Sequence, residues 1–205
     1  MGQLKRRYAH HFIAASMLLS TSLLSGCAVV TAITAIPGAL YGVVSDQFSS
    51  FEVSFPHSMR ATLAAVQHSL QTMHLDIDIL EIQESGGYGI AFNDQKLSGE
   101  ITLRKQTESL TTVSIQAKFM TREESVEQAI IKLMETTLKK QPTVASFELN
   151  AYHDLRAKPT NKSKHLGWFR PGAMLDAQQS HAAGWLAIKL PSGSKAFLKG
   201  EITSQ

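Results

Sequence analysis

The stretch "FEVSFPHSMRATLAAVQHSLQTM", residues 51–73, changes its period partway along, and that change decides the fold class. Up to Phe55 the pattern is two-fold: Phe51, Val53 and Phe55 are apolar, while Glu52 and Ser54 are polar. Successive side chains of a strand point to opposite faces, so this alternation predicts a half-buried strand. Beyond Pro56, the apolar residues Met59, Leu63, Val66, Leu70 and Met73 recur at alternating steps of four and three. That spacing places them on one face of an amphipathic helix, with Ser58 as its N-cap.

Downstream, "LDIDILEIQE" returns to alternation through Leu75, Ile77 and Ile79. "YGIAFN" and "SGEITLRK" follow, parted by a turn signal at Asn93-Asp94. "LTTVSIQAKF" is rich in β-branched residues and reads as another strand. A second helix is expected from "TREESVEQAIIKLMETTLKK", residues 121–140. Thr121 and Glu124 have the T-x-x-E spacing of a capping box. Val126, Ile130, Leu133 and Leu138 (or Thr137) form its expected apolar face. Acids fill the first turn and Lys139-Lys140 the last, as the helix dipole favours. Residues 48–141 are therefore expected to form an α+β domain of β-α-β-β-β-α order, a sandwich with helices on one face of a mostly antiparallel sheet.

Upstream, Lys5, Arg6 and Arg7 precede the apolar run "FIAASMLLSTSLL", residues 12–24. A short cationic region followed by an apolar stretch too short for an ordinary membrane span is the pattern of an export signal. It ends in Leu24-Ser25-Gly26-Cys27, which holds the only cysteine of the chain. This tetrapeptide resembles the lipobox of bacterial lipoproteins. The resemblance implies cleavage between Gly26 and Cys27, a diacylglycerol on the Cys27 sulfur, and an acyl chain such as palmitate on the new amino group. Residues 1–26 would then be the signal peptide. Two or more acyl chains anchor stably where one anchors marginally. Ala28, not Asp, follows the cysteine, which resembles the sorting pattern of outer-membrane lipoproteins and implies a periplasm-facing anchor.

Residues 27–47 are expected to be a lipidated, membrane-proximal segment. Its run "AVVTAITAIPGALYGVV", residues 28–44, is uncharged but broken by Pro37-Gly38. It reads either as an interfacial segment or as an apolar linker. The pattern of the following domain is similar to a family of small bacterial lipoproteins that carry one such domain after the lipobox. "MRATLAAVQHSL", the GEITL strand, the TTVSIQAKF strand and the closing helix carry that similarity. It implies no catalytic residues.

After a linker over 142–150 the texture changes. Residues 151–205 alternate short strand-like runs with Pro, Gly, Ser and Asn turns, the mark of a small all-β barrel. "DLRAKPTNKSKHLGWFRPGAMLDA" and "GWLAIKLPSGSKAFLKGEI" resemble the opening and the end of a bacterial SH3-type domain. Ala196-Phe197 stands where that family usually has Gly-Trp, and Asp154-Leu155-Arg156 where it has Asn-Val-Arg. The resemblance implies an SH3-like barrel that binds cell-wall peptide or serves as a protein contact. Trp168, Trp185 and Phe197 are the candidate contact residues, although the two tryptophans read more readily as barrel core.

Charge divides the same way. The formal net charge of +3 is accounted for by Lys5, Arg6 and Arg7, so the rest is neutral and gives no support to a nucleic-acid partner. Residues 45–149 carry a net −5 and residues 150–205 a net +5. The opposite signs would steer one part onto the other, bring the basic part to an acidic envelope surface, or mark solvated faces.

Catalytic patterns do not emerge. No G-x-S-x-G elbow occurs. His57, His68, His74, His153, His165 and His181 show no H-x-x-x-H spacing, so no metal or cofactor is expected. Asp76 and Asp78 alternate on one strand and read as its solvent face. The function expected is that of a non-enzymatic envelope lipoprotein held by membrane lipid, which contacts peptidoglycan or an envelope protein. The alternatives are an assembly component that acts through the α+β domain and, less favoured, an envelope hydrolase.

Overall fold

The computed structural model describes residues 40–41, 50–94, 96–140, 149–174 and 176–201. The expectations placed on Gly26, Cys27, the signal peptide and most of the 142–150 linker lie outside the described residues. All described residues belong to one compact unit. Its strands are β1 (Leu40–Tyr41), β2 (Phe51–Phe55), β3 (Asp76–Ile82), β4 (Tyr88–Asn93), β5 (Ser98–Thr107) and β6 (Leu110–Lys118), then β7 (His153–Arg156), β8 (His165–Phe169), β9 (Ala177–Gln179), β10 (Trp185–Lys189) and β11 (Lys195–Lys199). Two helices, α1 (Met59–Thr72) and α2 (Glu124–Lys139), and a 3-10 turn at Leu149–Ala151 complete the described elements. The class is α+β.

The strands form one antiparallel sheet in the order β1-β2-β6-β5-β4-β3-β8-β7-β11-β10-β9. Its ends are β1 and β9, so it does not close on itself. Between the helices lie four strands, not three: the Asn93-Asp94 turn separates β4 and β5 as independent strands. There Asp94 Oδ1 accepts the Lys96 and Leu97 N–H groups, each at 2.7 Å. These bonds, from Leu97 foremost, hold the Asp94 carboxyl below its ordinary pKa.

The change of period at Pro56 is real. Ser58 is extended and its Oγ accepts the Ala61 N–H at 3.4 Å, capping α1. The helix buries more than its apolar stripe: Thr62, Ala64, Ala65, Gln67 and Ser69 are buried beside Leu63, Val66 and Leu70. It packs against α2 as well as β3, β5 and β6, so two of its faces lose water. The buried Ser69 hydroxyl is satisfied by donating to Ala65 O at 2.8 Å.

The expected capping box of α2 does not form. Glu123 is the N-cap and makes no side-chain cap bond. The chain instead turns sharply after β6, where Lys118 bridges Arg122 and Phe119 N–H donates to Thr121 O at 3.1 Å. This geometry makes another acid of the segment structural. Glu127 is fully buried and accepts the Ala117 N–H at 3.0 Å and Arg122 Nη2 at 2.6 Å. The face of α2 rotates with it: Ile130, Ile131, Met134 and Leu138 are buried, while Val126 and Leu133 are only half-buried.

Two apolar clusters result. The larger joins α1 and α2 to β2–β6, with Val53, Phe55, Val66, Leu70, Ile90 and Met134 among its members. The smaller gathers Leu155, Phe169, Ile188, Leu190, Ala196 and Leu198 around Ile79 of β3. A β-bulge between Ile77 and Ile79 makes this possible, because it sends Ile77 and Leu80 to the first cluster and Ile79 to the second. The simple alternation expected in β3 is thereby overturned.

Candidate functional site

The second cluster fixes one face of β10 and β11. Leu186, Ile188, Ala196 and Leu198 are buried, so the residues between them face away from it. Those residues are Trp185, Ala187 and Lys189 on β10, with Lys195, Phe197 and Lys199 on β11. The register sets Trp185 opposite Lys199, Ala187 opposite Phe197, and Lys189 opposite Lys195. Trp185 and Phe197 are thus diagonal neighbours, about 7–8 Å apart by strand geometry and within reach of aromatic rings. On the flanking strands Arg156 pairs with Phe197, and Gln178 with Ala187. The β10–β11 turn is tight: Gly193 has φ +81° and donates to Leu190 O at 2.8 Å.

Beside this turn lies a cleft of about 320 Å³. Its walls include Asp176, Gln178, Lys189, Ser194 and Lys195. None of these lysines emerged as a candidate from sequence. The signal was present in their strict alternation with Leu186, Ile188, Ala196 and Leu198.

Trp168 lies elsewhere. It pairs with Leu80 on one side and Asp154 on the other, and β7 and β11 separate its strand from that of Trp185. It packs against the larger cluster, and its ring meets His165 edge-on at 4.6 Å between centroids. His165 Nε2 is buried without a hydrogen-bond partner, although Asp154 Oδ1 is 3.3 Å away, and Asp154 is itself paired with Arg156. The structure brings together Trp185 and Phe197 but not Trp168.

A seam joins the acidic and basic halves. Arg170, just beyond β8, donates to Asp78 Oδ1 from Nε at 3.1 Å and from Nη2 at 2.8 Å, with Asp76 at 3.3 Å. Asp78 is 9% exposed, so the expected solvent-facing pair is split: Asp76 faces water and Asp78 is buried at the bulge. Burial works against the Arg170 charge, but the Asp78 hydrogen bonds and the two carboxylates outweigh it and raise its pKa. Tyr152 donates to Ile77 O at 3.2 Å, and burial pushes its phenol up. Farther along, the buried Glu81 accepts the Ser192 N–H at 2.9 Å, which seats the β10–β11 turn on the sheet. Gly89 leaves the space: a Cβ there would lie 2.8 Å from Glu81 Oε2 and 3.1 Å from Pro191 Cβ.

Among the described residues no group of three potential metal ligands occurs, and no helix is long and apolar enough to cross a membrane. Phe119 and Met120, at the turn before α2, are 53% and 87% exposed. No model of a known protein family matches the chain, and no curated protein matches it.

Proposed function

We propose that this chain is a non-enzymatic lipoprotein of the cell envelope, tethered through Cys27, probing cell-wall peptide with the outer face of its last strands. The lipobox-like Leu24-Ser25-Gly26-Cys27 supports the tether and the outer-membrane, periplasm-facing placement. Five short antiparallel strands, β7–β11, whose apolar side chains cluster with Ile79 of β3, support reading residues 151–205 as the SH3-type module. The observation that carries the binding role is the diagonal placement of Trp185 and Phe197 on a face turned away from that cluster. Aromatic rings left at a surface and flanked by polar side chains are the means by which such modules hold extended peptides.

Retention of the full chain on purified peptidoglycan sacculi tests this. Wild type is retained, and Trp185→Ala and Phe197→Ala are released at unchanged melting temperature. Equal recovery of both variants with wild type defeats the role of this face, and no retention of wild type defeats the cell-wall reading. Because β8 pairs with β3, the whole chain is used and not residues 151–205 alone.

A second reading has its own observation. The exposed Phe119-Met120 pair favours a protein partner that docks on the α+β domain. Co-purification of an envelope protein that is lost on Phe119→Ser with Met120→Ser, and kept on Trp185→Ala, favours this assembly role. The envelope-hydrolase reading is the least favoured, and a clearing zone on a zymogram would restore it.

A further inference from the structure

We infer that the cleft beside the β10–β11 turn is a carboxylate-binding site, for a peptide that carries free carboxylates and an amino group. Lys189 and Lys195 stand directly opposite each other across an antiparallel pair. Like charges in that position destabilise a sheet. Neither lysine joins an ion pair among the described residues, although Lys189 also feels the charge of Glu100. Both line the cleft, together with Ser194 and Gln178, residues whose side chains carry donors suited to an anion. Lys199 adds a third cation on the same face, opposite Trp185. A bound carboxylate would turn the Lys189–Lys195 repulsion into two attractions.

Asp176 lies in the same lining and selects among anions. It disfavours a dense polyanion and complements an amino group, so a zwitterionic peptide fits better than a polyphosphate. The inference rests on the proposed peptide-binding face and adds to it the chemical group that is recognised.

The probe is a short soluble peptide with two free carboxylates and one free amine, titrated into the full chain by calorimetry. Its fully amidated form and inorganic polyphosphate are titrated in parallel. The free-acid peptide should bind about tenfold tighter than the amidated one, and Lys195→Gln should remove about that factor, on the scale of one charge-assisted hydrogen bond. The same substitution should raise the melting temperature by about 1–3 °C by relieving the cross-strand repulsion, which separates lost binding from lost folding. Equal binding of the two peptides, preferential binding of polyphosphate, no binding of any probe, or an unaffected Lys195→Gln each overturns the site. Retention on sacculi that persists after their carboxylates are blocked overturns it too, while leaving the proposed function standing. Lysine-dependent peptide binding without sacculus retention does the reverse.

Discussion

Arg170 donates two hydrogen bonds to a single oxygen of Asp78, and this fork ties the residue after β8 to the bulge of β3. Asp78→Ala leaves a half-buried guanidinium facing only Asp76. Losing one partner costs about 3–5 kcal/mol for a buried pair and about 0–1 for an exposed one. With Arg170 29% exposed and Asp78 9%, a loss of about 2 kcal/mol is expected in urea unfolding. Arg170→Lys should lose more than half of that, since an ammonium cannot form the fork. A loss below about 0.5 kcal/mol would mean that solvent screens the pair.

Glu127 supports the turn before α2. Replacement by alanine leaves the Ala117 N–H and the Arg122 guanidinium without their shared acceptor. A loss of about 3–5 kcal/mol is expected in thermal unfolding, and Arg122→Leu with Glu127→Leu should lose less than Glu127→Ala alone. Thr121→Ala should change stability by no more than about 0.5 kcal/mol, where a true N-cap would lose about 1.

Gly167 permits the contact between β3 and β8. Its φ is +151°, and a Cβ there would lie 2.1 Å from Leu80 O. Gly167→Ala should destabilise the fold by about 1–3 kcal/mol or more and speed amide exchange at Ile79–Glu81. Unchanged exchange at those amides would show that the two strands are not paired in solution.

Glu100 gives stability a penalty that sets in as pH rises out of the acid range. Glu100 is exposed, but partial desolvation raises its pKa, with the Lys118 and Lys189 charges working against the rise and Glu81 adding to it. An acid raised by folding is neutral in both states below its unfolded value of about 4.3, so the penalty is absent there. The penalty grows as pH rises through the raised folded value. Glu100→Gln should therefore stabilise the protein at pH 7 and have no effect at pH 3.5. Denaturant titrations at the two pH values check this, and a benefit larger at the acid pH contradicts it.

The local rules that read correctly are those that depend on neighbours in sequence: the Ser58 cap, the Leu63-Val66-Leu70 stripe and the Asn93-Asp94 turn. The misreadings share a tertiary cause. Thr121 and Glu124 have the spacing of a capping box, yet the Arg122 guanidinium and the Ala117 N–H, five and ten residues earlier, turn Glu127 inward and rotate the helix, so that Met134 takes the place given to Leu133. Asp78 looked solvent-facing because its partner Arg170 is 92 residues away and the bulge that buries it leaves no mark in the periodicity. Trp168 and Trp185 look alike in sequence, and only the strand order separates a tryptophan on the first core from one on the outer face. The lysine pair was concealed differently: Lys189 and Lys195 read as ordinary solvated charges until the register set them face to face.

The tether is tested most directly by metabolic labelling with radiolabelled palmitate in wild type and Cys27→Ser. The expected result is label in the wild type, none in the variant, and a variant that accumulates with residues 1–26 still attached. A wild-type protein that takes up no lipid would contradict the envelope-lipoprotein reading at its foundation.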